Sequence, residues 1–257
     1  MEPQHQPPQY LAEPTERPAA HNPANIVTIS KTNITGVVLG GGLSTRFGTG
    51  QSKLLIHLGG KLVLARVADT LKMVCSELVL VVRPDQDDDV PDLGIALNMH
   101  VVSDTPPYKG PLAGIHAGLA ASTTPLSFVV AGDHPFISRN LVTAMAAAAV
   151  TDGLDNPTAV IPRTEGILHP LHAIYPREQW VPYLAHAMSE GETSPRRTIE
   201  KATVSEYPPV TIFTEEDLEK SDPRRISLVD IDTPESFNAA RKIAEARKFT
   251  PRHHSLG

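Results

Sequence analysis

The sequence has a single cysteine, Cys75, so neither a disulfide framework nor a thiolate metal cage can be built within one chain. Cys75 closes an apolar helical pattern and is read as a small buried hydrophobe. There is no unbroken apolar stretch of about 18 residues, the minimum for a membrane-spanning helix, and the N-terminus lacks the basic and apolar regions of a signal peptide. A cytoplasmic location with no membrane contact is expected. Positive charge is also scarce, with 23 Lys and Arg against 29 Asp and Glu and a formal net charge of −6. A protein that tracks nucleic acid needs a basic face to displace counterions from the phosphates. No nucleic-acid partner is therefore expected, and any phosphate must be held locally.

With 257 residues, 40% of them hydrophobic, the chain can hold one large α/β domain or two small ones. Residues 1–30 are rich in Pro, Gln and Glu and have almost no apolar periodicity. That composition cannot offset ordering entropy and reads as a disordered leader. Residues 250–257, with Pro251, Arg252, His253 and His254, read as a flexible tail, which leaves 31–249 for the folded domain.

Within that region β-branched apolar runs alternate with helical patterns. GVVL (Gly36 to Leu39) precedes Leu64, Val67, Leu71 and Val74 at helical spacing, and LVLVV (Leu78 to Val82) follows. A strand at His100 to Ser103, a helix opened by Pro111, a strand over Ser127 to Gly132 and an alanine-rich helix from Arg139 to Val150 continue the alternation. Further strands are expected at Ala159 to Pro162, Leu171 to Tyr175 and Ile226 to Ile231. A last helix should start at Pro234 with Thr233 as its N-cap. This grammar predicts an α/β fold, a mostly parallel Rossmann-like sheet flanked by helices on both faces. The acidic stretch Asp85 to Asp92 reads as a solvated loop, because it lacks the glycine and terminal glutamate of a calcium-binding loop.

GVVL runs directly into GGGLSTRFGTGQSK (Gly40 to Lys53), placing three glycines where a parallel strand leaves the sheet at its carboxyl end, the usual ligand edge. Glycines allow close backbone approach and can aim successive N–H groups at one anion, while Arg46 and Lys53 supply positive charge. The ATPase phosphate loop is excluded, since Lys53 follows Ser52 and Gly60-Lys61 is followed by Leu62. The dinucleotide fingerprint is excluded too, because Thr45 stands where its third glycine should fall. Alone, the loop could still be a glycine-rich turn with two solvated cations.

The string L-G-G-G-x-S-x-R-F-G with a following lysine resembles the signature of nucleotidyltransferases that activate sugars and cofactors. SDTPPYKGPLAGIHAGLAA (Ser103 to Ala121), VVAGDHPFI (Val129 to Ile137), HPLHAIY (His169 to Tyr175) and DIDTPESF (Asp230 to Phe237) then fall in the order seen in the molybdenum cofactor guanylyltransferase family. The resemblance covers about Thr35 to Ala246. It implies transfer of GMP from GTP to the terminal phosphate of molybdopterin, with pyrophosphate released and Mg²⁺ as cofactor. CTP stays open as the nucleotide. The four residues between Gly48 and Lys53 exceed the usual guanylyltransferase spacing, and Asp230 and Asp232 stand where many of those enzymes have asparagines. A cofactor-delivery protein or a molybdoenzyme is the protein partner the resemblance suggests. The competing class is a nucleotidyltransferase-like module that binds nucleotide or cofactor without chemistry.

Candidate site residues follow. Leu39, Gly40, Gly41, Gly42, Lys53, Asp104 and Asp133 are expected to bind nucleotide, and Arg46, Lys53 and Asp133 to act in transfer. Asp133 directly follows the strand ending at Gly132 and is the first choice for a metal ligand, because a hard cation takes carboxylates together with substrate phosphates. Asp104 belongs to the nucleotide pocket by resemblance, with a turn residue as the alternative. Asp232 is a second metal ligand or a helix cap. His169 and His172 lack a third ligand by spacing and are read as groove-lining or backbone-paired. Arg196 and Arg197 face a phosphorylated substrate or solvent.

Overall fold

A computed structural model describes residues 34–42, 52–86, 89–104 and 108–248. The expected leader, the tail and Arg46 lie outside the described residues. The first half contains β1 (Ile34–Leu39), a 3₁₀ turn (Lys53–Leu55), the hairpin β2 (His57–Leu58) and β3 (Lys61–Leu62), and α1 (Val63–Leu71). It continues with β4 (Glu77–Val82), α2 (Asp89–Ala96), β5 (His100–Ser103), α3 (Pro111–Ala121), β6 (Leu126–Ala131) and α4 (Arg139–Ala149). The second half adds β7 (Ala159–Thr164), β8 (Ile167–Leu168), β9 (His172–Pro176), α5 (Arg177–Ser189), α6 (Pro195–Ser205), β10 (Val210–Phe213), α7 (Glu215–Ser221) and α8 (Pro234–Lys248).

The main sheet runs β10-β7-β9-β6-β1-β4-β5, with β8 paired to β7. β1 is parallel to β4 and β6, β4 to β5, and β10 to β7, while β9 is antiparallel to both β6 and β7. A mostly parallel sheet needs cover on both faces, and its strands alternate accordingly. Val37, Val79, Val81 and Val129 face one core with residues of α3, α5 and α6. Val38, Leu78, Leu80, Phe128 and Val130 face the other with residues of α1, α4 and α8. Helix α3 lies close to β1 because Gly118 has no side chain; a Cβ there would fall 2.2 Å from Val37 Cγ1. Gly110, at φ 91°, turns the chain into that helix, a conformation that glycine adopts without steric cost.

Two local expectations fail. Ile226 to Ile231 forms no strand. Ile231 is fully buried and Ile226, Leu228 and Val229 pack on the core, but both flanks of β6 are already taken by β1 and β9. The segment's polar groups instead bind side chains, with Ser227 N donating to Asp222 Oδ2 at 2.8 Å and Ser138 N donating to Ser227 Oγ at 2.7 Å. The acidic stretch is only partly a loop, because Asp89 opens α2 with Asp92 in its first turn, where carboxylates complement the helix N-terminus. α8 starts as expected, with Ser236 N donating to Thr233 Oγ1 at 3.1 Å.

Candidate functional site

The carboxyl ends of β1, β4, β5 and β6 converge on a cleft of about 770 Å³ lined by Gly40, Gly41, Gly42, Lys53, Asp104 and Asp133 among others, a size suited to a small-molecule ligand. The glycine run is seated between the neighbouring strands: Gly40 N donates to Val81 O at 2.7 Å, and Gly132 N donates to Leu39 O at 2.9 Å. Gln86 holds it from the side, its Nε2 donating to Gly40 O at 3.0 Å while its Oε1 accepts from Arg83 N at 3.1 Å. A Cβ at Gly40 would meet Leu80 Cδ1 at 2.9 Å, whereas one at Gly42 would meet nothing within 4 Å. Gly40 is therefore glycine for packing, whereas Gly42 has no such neighbour among the described residues.

Lys53 begins the 3₁₀ turn, capped by Ser52, and its side chain is only 11% exposed. Its ammonium donates to Asp133 Oδ2 at 2.8 Å and also to Asp232 Oδ1. The loop lysine and the two carboxylates expected on a metal thus meet at one point. His134 Nδ1 lies 3.2 Å from the other oxygen of Asp133, where a ring N–H donates to the carboxylate. Asp232 N donates to Asp230 Oδ1 at 3.3 Å. Burial opposes charge on Asp133, but the hydrogen bond and charge of His134, then those of Lys53, outweigh it and hold the carboxyl far below its ordinary value. Burial also opposes charge on Lys53, yet Asp133 and Asp232 push its pKa up.

At the other end of the cleft, Asp104 is buried, its Oδ1 has no hydrogen-bond partner among the described residues, and desolvation raises its pKa. Arg83, Tyr108 and Lys109 line the same end. A buried acceptor without a partner is costly, so this end suits a ligand that brings N–H donors. Leu39 and the three glycines line the cleft as expected.

The two histidines have different surroundings. His169 Nε2 lies 2.6 Å from Thr164 Oγ1, a side-chain rather than a backbone partner. His172 is fully buried edge-on to Phe128 with ring centroids 5.1 Å apart, and neither ring nitrogen has a hydrogen-bond partner among the described residues. Burial, then the charges of His134 and His169, hold it well below the ordinary value, so it is a neutral ring. Arg197 pairs with Glu192 at 2.8 Å and braces α6, while the charge of Arg196 reaches His169. Among the described residues no group of three or more His, Cys, Asp or Glu is arranged to hold a metal, and no helix is long and apolar enough to cross a membrane. Sequence reasoning missed the double pairing of Lys53, across separations of 80 and 179 residues, which has no local signal. It also missed His134, whose place directly after Asp133 could have drawn attention.

A mostly parallel sheet with a glycine-lined cleft at its carboxyl edge, where lysine and aspartate meet, has the ligand-binding arrangement of an open α/β fold. The family model of the MobA-like NTP transferase domain matches residues 36–206. The chain belongs to that family and is a nucleotidyltransferase. It is 29% identical over 217 residues to the molybdenum cofactor guanylyltransferase of Desulfosudis oleivorans, covering 84% of this chain and 98% of that protein. It is 32% identical over 208 residues to a protein of Natronomonas pharaonis named "Probable molybdenum cofactor guanylyltransferase", covering 81% and 96%. The crystal structure of molybdopterin-guanine dinucleotide biosynthesis protein A from Archaeoglobus fulgidus has a similar fold, with a TM-score of 0.66, 24% identity and coverage of 82% and 99%.

Proposed function

We propose that this chain is a cytoplasmic molybdenum cofactor guanylyltransferase that transfers GMP from GTP to the terminal phosphate of molybdopterin. The carrying observation is the meeting of Lys53, Asp133 and Asp232 beside Gly40 to Gly42, in a chain so similar to relatives of that name along nearly their whole length. An oxygen of the acceptor phosphate forms a bond to the α-phosphorus, the bond from that phosphorus to the β-phosphate bridging oxygen breaks, and pyrophosphate leaves. The attacking phosphate is already ionised near pH 7, so no general base is needed.

Phosphate-transfer sites act through position and charge. The backbone at Gly41 and Gly42 lets the triphosphate approach, Lys53 and Arg46 offset its charge, and Asp104 takes N–H donors of the base. Asp133 and Asp232 fit Mg²⁺, because two carboxylates that share one ammonium are a hard, anionic donor pair that triphosphate oxygens would complete. Bound there, the ion would neutralise charge on the transferring phosphate. Lys53 must then shift its pairing from the carboxylates toward the triphosphate. Pyrophosphate release by purified protein, with Mg²⁺, molybdopterin and each of the four nucleoside triphosphates in turn, tests the reading. Release with GTP alone is expected; release with CTP would move the chain to a cytidylyltransferase role, and none with any would leave a binding module.

A further inference from the structure

We propose that His134 and His169 form the seat for the acceptor's terminal phosphate. This rests on the reading above that the acceptor is a phosphate monoester. The glycine run, Asp104 and Arg83 sit at the carboxyl ends of β1, β4 and β5, so the nucleotide occupies that side of Asp133. In the sheet order β9 and β7 lie on the opposite side of β6 from β1. His134 follows Asp133 at the end of β6, His169 precedes β9, and Thr164 ends β7. Because β9 is antiparallel to both neighbours, its start lies at the same edge as the ends of β6 and β7. An in-line displacement needs the attacking oxygen opposite the departing pyrophosphate, and this is the side the histidines hold.

Charge points the same way. After burial, the charge of Arg196 holds the pKa of His169 down. An arginine and two imidazoles thus bring N–H donors to this edge, with Asp133 against His134, and a phosphate would accept from them. His134 turns Nδ1 to Asp133, so Nε2 is the ring nitrogen left to meet a ligand. The ring of His172 backs it at a centroid distance of 5.6 Å. The seat would hold the attacking phosphate while His134 simultaneously braces Asp133.

Two variants separate this seat from the nucleotide site. His134→Asn keeps a donor toward Asp133 but removes the far ring nitrogen, and His169→Ala removes the second ring. Each should raise KM for molybdopterin at least tenfold, and in His169→Ala the affinity for Mg·GTP should stay within twofold, with thermal unfolding confirming the fold. Independently, the histidine ring signals assigned through these variants should shift when inorganic phosphate is titrated into wild-type protein saturated with Mg·GTP. Unmoved signals, with acceptor KM unchanged in folded variants, overturn the seat, and so does a parallel loss of GTP affinity in His169→Ala. If the wild type transfers nothing to molybdopterin yet phosphate shifts these rings, the seat stands and the proposed acceptor falls.

Discussion

Replacing Lys53 by methionine keeps length and removes the charge shared by Asp133 and Asp232. At 2.8 Å and an effective dielectric constant of about 20, one such pair is worth about 6 kcal/mol before desolvation is subtracted. Solvent-exposed pairs net about 0–1 kcal/mol, whereas breaking a buried one costs about 3–5 kcal/mol. Lys53 and Asp133 are 11% and 19% exposed, close to the buried limit, but Asp232 is 46% exposed and water screens its share. Lys53→Met should therefore lose about 2 kcal/mol of stability at pH 7. The pH dependence gives the reasoning its sign. The pKa of Asp133 is lowered on folding, so its stabilisation is present above the unfolded carboxylate value of about 4 and is lost as pH falls through the folded one. The gap between wild type and variant is widest near neutrality and narrows as Asp133 takes up its proton, well below pH 4. Lys53 is shifted upward, so the wild type alone loses stability as pH rises through that group's folded pKa. Urea unfolding at pH 7 and near pH 2, with and without Mg²⁺ at the higher pH, measures this; Mg²⁺ should restore the variant more than it helps the wild type. A gap of equal size at both pH values would refute the account.

Asp232→Asn should leave stability within about 1 kcal/mol, since its partner is shared and its side chain is half exposed. Steady-state turnover should fall at least tenfold, about 1.4 kcal/mol of transition-state stabilisation, and recover in part at high Mg²⁺. Gly42→Ala adds a methyl group that meets none of the described residues within 4 Å, so the melting temperature should hold while KM for the nucleotide rises; an unchanged KM would take Gly42 off the ligand's path. Gly118→Ala would drive a Cβ to 2.2 Å from Val37 Cγ1 and should cost about 1–3 kcal/mol in denaturant unfolding, the usual scale of overpacking. Adding Val37→Ala should return part of that loss.

Much of the fold was legible because these elements carry their own signals: β-branched runs at β1, β4 and β6, Pro111 after Gly110 at α3, and Thr233-Pro234 at α8. α5 and α6 carried no comparable signal, since α5 contains Pro182 and α6 is largely polar. Ile226 to Ile231 looked like a strand because burial alone sets its composition, and strand pairing depends on a sheet position that is already filled. Of the site, Gly40 to Gly42, Lys53, Asp104 and Asp133 could be read because they sit at strand ends, where α/β ligands bind. That Lys53 bridges two carboxylates could not be read. Neither could the pairing of His169 with Thr164, which depends on how the β7–β8 hairpin folds back.

The pairing of Lys53 with Asp232 spans 179 residues, and the segment that matches the family model ends at residue 206. A protein trimmed to that segment would keep the glycine run, Lys53 and Asp133, and would look complete by similarity. It would lack Asp232 and also Ser227, whose hydroxyl accepts from Ser138 N at the start of α4. It would lose β10, which covers the flank of β7, and the residues from α8 that join the core. The lysine would keep one of its two aspartates. The working unit therefore extends at least through α8, and a design that transplants this site must carry the last turn-rich stretch along with the sheet.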